Sequence, residues 1–388
     1  MYVILLKRVQ IADKIRYKEH YALDFEGEDM AAQNIDLEKF IGSKDCTIIE
    51  AMGRIDKNAR NILYIVDEDG RLMGSLTDGD IRRWILKSGG LNGIAQDAIN
   101  TNPKTINIKD RDKGQVLMDT ALINSVPVVD DDGRIVDIIF RDKAKTSYME
   151  ARDLALSDTP IIIMAGGKGT RLYPYTKILP KPLIPIGDVP ILERIMNRFH
   201  EYGAKEFYLT VNYKKEMIKS YFVEQNVPYT IKYVEEDKPL GTAGSIKLIQ
   251  EKFNRPVIVT NCDILIDANY DSIIRHHITS ENGMTIVSSL KNFSIPYGVL
   301  DSEKEGLVKA LKEKPALSYF INTGMYVVNP DVFNLIPADT MYHMTNLAED
   351  LMKKGGKVGM YPISEMSFLD MGEFQEMKRM EDRIGEVL

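Results

Sequence analysis

The sequence predicts an α/β chain in two parts, with a mostly parallel sheet in the C-terminal part and a smaller tandem α+β module before it. At 388 residues the chain is too long for one ordinary core, so two domains are expected. From residue 160 onwards, strand and helix patterns alternate, as in a parallel sheet with helices on both faces. Before that point, one motif occurs twice, 63 residues apart. We therefore divide the chain into 1–36, 37–150 and 158–388, and the first segment indicates no function.

Composition and charge argue against several classes of protein. Hydrophobic residues make up 44% and charged residues 28%, which is an ordinary globular profile, and the net charge of −7 disfavours a nucleic-acid partner. The two cysteines, Cys46 and Cys262, are too far apart in sequence for a metal-binding motif. No apolar run approaches the roughly 20 residues that span a bilayer, and the apolar start of the chain is too short for a signal peptide. We expect a cytoplasmic protein without a membrane partner.

The repeated motif consists of a strand, a turn and a returning strand. Residues 65–72 read Ile-Val-Asp-Glu-Asp-Gly-Arg-Leu, and residues 128–135 read Val-Val-Asp-Asp-Asp-Gly-Arg-Ile. Asp-Gly between two apolar runs predicts a hairpin. The acidic turns do not match the pattern of an EF-hand loop, so turn formation explains them better than calcium binding does. Helices are predicted at 80–87 and 112–123.

A Gly-x-x-Thr-x-x-Asp pattern, formed by Gly74, Thr77 and Asp80, follows the first hairpin. With it the module resembles the cystathionine-β-synthase (CBS) domain pair, a regulatory module in which this pattern holds a nucleotide ribose. The resemblance implies that the hydroxyl and the carboxylate contact the ribose while the glycine leaves room. The second copy has other residues in these positions, namely Asp137, Phe140 and Lys143. The module therefore offers at most one regulatory site for an adenine or guanine nucleotide, and a structural or dimerising role is an equal alternative.

The C-terminal part carries the alternating elements. Strands are predicted at 161–164, 206–211, 229–234, 257–260 and 284–288. Helices are predicted between them at 191–202, 214–224, 243–252 and 270–277. Two later strands, 309–313 and 321–328, and a closing helix, 374–384, complete the pattern. Ligands of such sheets bind at the carboxyl ends of the strands.

A glycine-dense loop follows the first of these strands and reads Gly166-Gly167-Lys168-Gly169-Thr170-Arg171-Leu172. Glycines let backbone N–H groups approach phosphates, and Thr170, Arg171 and Lys181 add a hydroxyl and two cations. A Walker loop needs Ser or Thr after the lysine, and a dinucleotide fingerprint needs glycine at Leu172, so both are absent. The loop and the following Pro180-Lys181-Pro182 resemble the signature of sugar-1-phosphate nucleotidyltransferases. Only Tyr175 departs from it, where leucine is usual.

This resemblance implies a Rossmann-like domain that transfers a nucleotidyl group to a sugar 1-phosphate with Mg²⁺. Asp263, after the strand predicted at 257–260, matches the principal metal ligand of the family. Asp370 matches the second, although Phe368 replaces the usual tryptophan. The family's catalytic residues then correspond to Arg171, Lys181, Asp263 and Asp370. Its nucleotide site corresponds to Ala165, Gly166, Gly167, Gly169, Thr170, Glu236, Gly241 and Thr242.

Glu235 and Glu236 lie where the family reads the base. A carboxylate can accept two adjacent hydrogen bonds, which guanine offers at N1–H and its 2-amino group, so GTP is favoured. UTP or CTP remains an alternative, as does a solvated strand end for both glutamates. The matching sugar-phosphate residues are Gly298, Glu313, Lys314, Asn322 and Thr323.

The function predicted from the sequence is guanylyl transfer from GTP to a hexose- or hexosamine-1-phosphate, and the expected pathway is surface-glycan biosynthesis. A non-catalytic nucleotide sensor is the alternative from another class, and the four intact catalytic positions argue against it. The five histidines form no constellation. We also expect a homo-oligomer.

Overall fold

The computed structural model describes residues 36–58, 60–121, 123–141, 156–372 and 374–387. The segment 1–35 and the connector 142–155, which includes Lys143, lie outside the described residues. The predicted α/β class is confirmed by a seven-stranded, mostly parallel sheet and, earlier in the chain, two three-stranded sheets. None of the helices in the described part of the chain is long and apolar enough to cross a membrane.

The N-terminal module contains two copies of one arrangement. Each copy has a three-stranded sheet in which the first two strands are parallel and the last two form a hairpin. The strands are β1 (Ile41–Ser43), β2 (Ile62–Val66), β3 (Leu72–Thr77), β4 (Ile106–Asn107), β5 (Ser125–Val129) and β6 (Ile135–Phe140). The helices are α1 (Ile48–Asn58), α2 (Asp78–Ser88) and α3 (Gly114–Ala121).

The acidic hairpin turns are explained by their own hydrogen bonds. Asp67 Oδ1 accepts from the backbone N–H groups of Asp69 and Arg71, both at 2.9 Å. The equivalent Asp130 does the same one repeat later, at 3.0 and 2.8 Å. Gly70 has a φ of 79°, in the left-handed region that favours glycine. The aspartates therefore form the turns, as the sequence predicts.

The two copies are joined hairpin to hairpin. Leu72 N–H donates to Gly133 O at 3.0 Å, and Ile135 N–H donates to Gly70 O at 3.4 Å. Phe40 and Phe140 pack beside this junction, with ring centroids 4.9 Å apart. Phe140 occupies one of the altered ribose positions, and here its side chain contributes to the packing between copies.

The large sheet has the strand order β11 (Thr230–Glu235), β10 (Glu206–Val211), β7 (Ile161–Met164), β12 (Val257–Asn261), β17 (Ala316–Val328), β14 (Met284–Ser294) and β18 (Val358–Ile363). The first four strands are parallel, β17 is antiparallel to both of its neighbours, and β14 is parallel to β18.

Short two-stranded ribbons complete the domain. Their strands are β8 (Pro185–Ile186), β9 (Val189–Pro190), β13 (Ile264–Ile266), β15 (Val299–Ser302), β16 (Val308–Lys312) and β19 (Phe368–Asp370). The helices of this domain are α4 (Tyr175–Ile178), α5 (Ile191–His200), α6 (Lys215–Glu224), α7 (Gly241–Gly244), α8 (Tyr270–Thr279), α9 (Met344–Lys353) and α10 (Phe374–Val387).

Both faces of the large sheet are buried. Ile161 and Ile163 of β7 pack in one core with α5, α6 and α8, whereas Ile162 and Met164 pack in a second core with α7 and α9. A strand covered on both sides needs apolar residues at every position, which explains the continuous β-branched run before the glycine loop. The predicted bounds of β7 and β10 are confirmed.

The prediction of a helix at 243–252 is wrong. Only α7 and a following 3₁₀ turn, Ser245–Leu248, form there. A Cβ on Gly244 would lie 2.6 Å from Thr340 O, and the N–H groups of Ala243 and Gly244 both donate to Tyr342 O, at 2.9 and 3.1 Å. The packing of a distant loop against the backbone thus replaces the regular helix.

The first copy of the module packs on the β14–β17–β18 end of the sheet. Arg82 of α2 donates from Nε to Pro362 O at 2.7 Å and from Nη1 to the Tyr361 hydroxyl at 2.8 Å. Its guanidinium also lies over the Tyr361 ring, 4.5 Å from the centroid. Leu290 of β14 is buried in the same apolar cluster as α1 and α2. The module and the sheet therefore share a core.

Candidate active site

The glycine loop lies at the carboxyl end of the sheet, between the ends of neighbouring strands. Met164, at the end of β7, is in register with Asn261 at the end of β12. The loop that leaves β7 and the turn that carries Asp263 therefore emerge side by side. Gly169 has a φ of 64°, and a Cβ there would lie 3.1 Å from Lys181 Cβ. Glycine thus allows the stem of Lys181 to pass against the loop.

Lys181 and Asp263 form an ion pair at this edge of the sheet. Their side chains are only 9% and 14% exposed, so both charges are largely removed from water. Beside them, burial raises the pKa of the Cys262 thiol to about 12. Cys262 is therefore a neutral thiol at physiological pH, and the charge at this point belongs to the lysine and the carboxylates.

Asp370 is brought beside Asp263 by the β13–β19 ribbon. In this antiparallel pair Ile264 lies opposite Asp370, and Met371 N–H donates to Asp263 O at 2.8 Å. Asp370 Oδ1 accepts from Gly372 N–H at 2.7 Å. Burial, and then the negative charge of Asp263, raise the pKa of Asp370. The two carboxylates predicted as metal ligands are thus close enough to repel each other.

The carboxylate oxygens of Asp263 and Asp370 suit a hard divalent cation that also binds substrate. In the described ranges no three His, Cys, Asp or Glu side chains converge as a complete metal site. One or two carboxylates are the usual protein contribution to a Mg²⁺ site that takes its other ligands from phosphates and water. Asp263 and Asp370 would hold such an ion.

A cavity of about 360 Å³ opens between the glycine loop and α7. It is lined by most of the predicted nucleotide-binding residues, namely Gly166, Gly167, Gly169, Thr170, Glu236, Gly241 and Thr242. Arg171, Lys181 and Asp263 line it as well. Ala165 lies under the loop, buried, with its N–H donating to Thr210 O at 2.9 Å. We call this space the smaller cavity.

Glu235 and Glu236 point to opposite environments. Glu236 is 6% exposed, lines the smaller cavity and accepts from Leu240 N–H at 3.3 Å. A Cβ on Gly166 would lie 2.9 Å from its Oε1, so the loop passes close over this carboxyl group. Glu235 is exposed and paired with Lys215 and Lys219, which lower the pKa of Glu235 to about 2. Of these two glutamates, Glu236 is therefore the one that can contact a ligand in the smaller cavity.

A second cavity, of about 670 Å³, adjoins the first. Arg171, Asn261 and Asp263 line both, so the two cavities meet at these residues. We call the second space the larger cavity. Its walls include the predicted Asp370, Asn322 and Thr323. They also include residues that the sequence did not indicate, among them Lys291, Glu365, Arg379 and, from the module, Gly53, Asp56 and Lys57.

Two families match this chain. Residues 161–386 match the nucleotidyl transferase family, and residues 43–87 match the CBS domain. The chain belongs to the nucleotidyl transferase family. The first match covers the whole large sheet and both aspartates, which agrees with the resemblance seen in the glycine loop.

Several relatives of the nucleotidyl transferase domain are named for their reactions. A mannose-1-phosphate guanyltransferase of Debaryomyces hansenii is 35% identical over 184 residues, covering 45% of this chain and 51% of the relative. A D-glycero-alpha-D-manno-heptose 1-phosphate guanylyltransferase of Campylobacter jejuni is 32% identical over 194 residues, with 50% and 86% covered. A UTP–glucose-1-phosphate uridylyltransferase of Synechocystis is 32% identical over 234 residues, with 55% and 60% covered. The chain spans about half the length of the mannose-1-phosphate guanyltransferase it matches.

Three predicted sugar-phosphate residues of the nucleotidyl transferase domain lie apart from the cavities. Gly298, Glu313 and Lys314 flank the β15–β16 hairpin, at the outer end of the β14–β17 pair, and all three are exposed. They are neighbours of one another, since a Cβ on Gly298 would lie 3.1 Å from Glu313 Oε2. They are not among the residues that line either cavity in the described structure. Their role in binding the sugar stays a prediction.

The predicted ribose site of the CBS module coincides with the start of α2. Thr77 Oγ1 accepts from Asp80 N–H at 3.2 Å and Asp80 Oδ2 accepts from Thr77 N–H at 2.9 Å, which together form a capping box. The Thr77 hydroxyl also donates to Asp80 Oδ2 at 2.6 Å. A Cβ on Gly74 would lie 2.6 Å from Asn100 O, so this glycine is required by the fold itself. In the second copy, Asp137 is paired with Arg111. Helix capping accounts for Thr77 and Asp80, and nucleotide binding there stays a prediction.

Proposed function

We propose that this protein transfers GMP from GTP to a hexose- or hexosamine-1-phosphate and releases pyrophosphate. The observation that carries the proposal is the meeting of two cavities at Asp263, Arg171 and Asn261. One cavity has the glycine loop of a phosphate site, and the other has amide and hydroxyl groups suited to a sugar. A reaction that joins a nucleotide to a sugar phosphate needs two such sites with a common boundary.

The chemistry requires positioning and charge neutralisation. A phosphate oxygen of the sugar 1-phosphate attacks the α-phosphorus of the triphosphate, a new P–O bond forms, and the bond to pyrophosphate breaks. A phosphate monoester is mostly dianionic at neutral pH, because its second pKa is about 6, so no general base is needed. The obstacle is the repulsion between two anions. Arg171 and Lys181 supply positive charge at the boundary where the phosphates would meet.

We propose Mg²⁺ as the cofactor, held by Asp263 and Asp370. When bound, the ion supplies Lewis-acid polarisation of the phosphate oxygens. The protein's own residues would orient the substrates: the glycine loop lines the cavity proposed for the triphosphate, and Lys181 fixes the position of Asp263 by the ion pair. Holding both reacting groups in one geometry removes much of the entropic cost of a bimolecular reaction.

Guanine is the base that the smaller cavity favours. Glu236 is the glutamate that lines it, and burial raises the pKa of its carboxyl group. Two donors side by side, N1–H and the 2-amino group of guanine, would satisfy both oxygens of this carboxylate. Uracil offers a single N3–H between two carbonyls. Because one relative carries a uridylyltransferase name, UTP is the second candidate.

The experiment follows pyrophosphate release by the full-length protein with GTP, UTP, CTP or ATP and a panel of sugar 1-phosphates. We expect release with GTP and at least one sugar phosphate in the presence of Mg²⁺, and none after chelation. The Asp263→Asn variant serves as the inactive control. If no combination of triphosphate and sugar phosphate releases pyrophosphate, the transferase proposal is wrong. If UTP is the better donor, only the assignment of the base changes.

A further inference from the structure

A helix of the CBS module, α1, forms part of the wall of the larger cavity. Its apolar residues Ile48, Ala51, Met52 and Ile55 face the core that the module shares with the sheet. Gly53, Asp56 and Lys57 are three and four residues apart and occupy the adjoining stripe of the helix, which lines the cavity. The CBS module therefore reaches the site at which an acceptor would bind.

The position of α1 is set by the contacts of the module with the sheet. Leu290 of β14 is buried against α1 and α2, and the next residue, Lys291, lines the larger cavity. Arg82 of α2 is bonded to Tyr361 and Pro362 of β18. These contacts hold the helix beside the cavity wall formed by β14 and β17.

Gly53 is unusual for a residue in the middle of an α-helix. A Cβ at this position would meet nothing within 4 Å, so no neighbouring protein atom requires glycine here. Alanine would make the helix more stable, because glycine loses more backbone entropy on folding. The bare backbone faces the larger cavity. Space for a ligand that approaches the helix closely is a reason to have glycine at this point.

We infer that α1 binds the sugar of the acceptor, with Lys57 donating hydrogen bonds to its hydroxyl groups and Gly53 leaving room for the ring. The inference rests on the proposed function. The phosphate of the acceptor belongs at the boundary with the smaller cavity, near Arg171 and Asp263. No residue of α1 is among those that line the smaller cavity in the described structure. The helix thus contacts the sugar end of the acceptor and leaves the nucleotide untouched.

This arrangement makes the module a specificity element for the acceptor. It also links the module to catalysis: a ligand that shifts α1 must change the affinity for the sugar phosphate, and the sugar phosphate must change the affinity for that ligand by the same factor. We do not expect a shift of α1 to change the affinity for GTP.

The test compares three variants of the full-length protein, Lys57→Gln, Gly53→Ala and the control Lys87→Gln. Lys87 is exposed near the end of α2 and is outside the lining of both cavities. We expect Lys57→Gln to raise the KM for the sugar 1-phosphate about tenfold or more, because one hydrogen bond from a charged group is lost. Gly53→Ala should raise the same KM while increasing the unfolding temperature. The KM for GTP should change less than about twofold in both, and Lys87→Gln should resemble the wild type.

Binding of mannose 1-phosphate and glucose 1-phosphate, measured by calorimetry without triphosphate, separates the possible failures. An active wild type whose acceptor KM and acceptor affinity are unchanged in both α1 variants overturns the role of α1 and leaves the transferase proposal intact. A wild type that neither releases pyrophosphate nor binds any sugar 1-phosphate overturns both. Equal losses of GTP and acceptor affinity would indicate a general disturbance of the fold and would also contradict the inference.

Discussion

The smaller and larger cavities share Asp263 but are assembled from different parts of the chain. The smaller cavity is built at the carboxyl ends of β7, β10, β11 and β12, four adjacent parallel strands whose loops emerge at one edge. Most of its functional residues follow directly after a strand. The larger cavity draws on α1 of the module, on the β14–β17 pair, on β19 and on α10. Its residues span positions 53 to 379.

This difference suggests a division of labour. A nucleotide presents the same phosphates and ribose in every member of such a family, so a local loop and a sheet edge suffice to bind it. An acceptor sugar varies, and a site made from many separate segments can change one wall without disturbing the rest. If the two cavities bind different substrates, a substitution in one should affect a single substrate, and a substitution at their boundary should affect both.

The largest effect is expected at the boundary. Asp263→Asn removes a carboxylate that lines both cavities, so we expect kcat/KM to fall by about 10²–10³ whichever substrate is varied. Pyrophosphate release at saturating Mg²⁺ measures this. Asp267→Asn is the matched control, because Asp267 is 72% exposed and pairs with Arg198 at 2.7 Å. Near-normal turnover of Asp263→Asn would rule out this boundary as the reaction centre.

A weaker effect, limited to the use of the nucleotide, is expected for a substitution in the smaller cavity. Glu236→Gln replaces a double acceptor by one donor and one acceptor, and an unsatisfied buried group costs about 1–3 kcal/mol. The ratio of kcat/KM for GTP over UTP should therefore fall about tenfold or more. The KM for the sugar phosphate should stay as in the wild type. Glu235→Gln, one residue away and paired with surface lysines, should leave the ratio unchanged. If both variants keep the wild-type ratio, Glu236 does not read the base.

Much of the smaller cavity could be predicted from the sequence, because its groups stand in short motifs that follow predicted strands. The glycine loop follows a buried strand, and both Lys181 and Asp263 stand in recognisable short motifs. The choice between Glu235 and Glu236 could not be made in this way. It depends on which face of β11 points to the cavity and on Lys215 and Lys219, whose positions follow from the packing of α6.

Much of the larger cavity could not be predicted. Lys57, Lys291 and Arg379 carry no motif, and they meet only because the module packs on β14 and the C-terminal helix returns to the site. Asp370 was found through its pattern, although its neighbour is Phe368, and its place beside Asp263 requires the pairing of β13 with β19. The prediction of a helix at 243–252 failed for the same reason. The close approach of Thr340 to Gly244 joins residues that are distant in the sequence.

The counterpart of Glu236 in the larger cavity is Asn322. Its Nδ2 donates to the Tyr326 hydroxyl at 2.8 Å, and its Oδ1 accepts from Gly324 N–H at 2.9 Å, so the amide is held in place. Asn322→Ala should raise the KM for the sugar phosphate about two- to tenfold, the range for one net hydrogen bond, with no change in the KM for GTP. Asn254→Ala, in an exposed loop, is the control. A larger change for GTP than for the sugar phosphate would contradict the assignment of the two cavities.

The smallest effect is expected for the stability of Asp370→Asn. This substitution should make the protein more stable although it removes a proposed metal ligand. The pKa of Asp370 is raised above its ordinary 3.8 by burial and by Asp263. Its favourable contribution to folding is therefore complete only below pH 3.8 and is lost as the pH rises through the raised pKa. Asp370→Asn removes the repelling charge and retains an Oδ1 that can accept from Gly372 N–H. Without divalent metal at pH 7, we expect its unfolding temperature to exceed that of the wild type by about 1–3 °C.

Two further measurements on Asp370→Asn decide whether this interpretation is correct. The stability difference should shrink as the pH falls towards 4, because the wild-type carboxyl group then becomes neutral as well. Adding Mg²⁺ should stabilise the wild type more than the variant, since a ligand that binds the folded state more tightly stabilises it more. Asp267→Asn should show neither behaviour, because Asp267 is exposed and lies opposite a cation. A variant that is less stable than the wild type at pH 7 in a chelator would show that Asp370 is not under repulsion from Asp263. The close placement of Asp263 and Asp370 at the boundary between the cavities would then not reduce the stability of the fold.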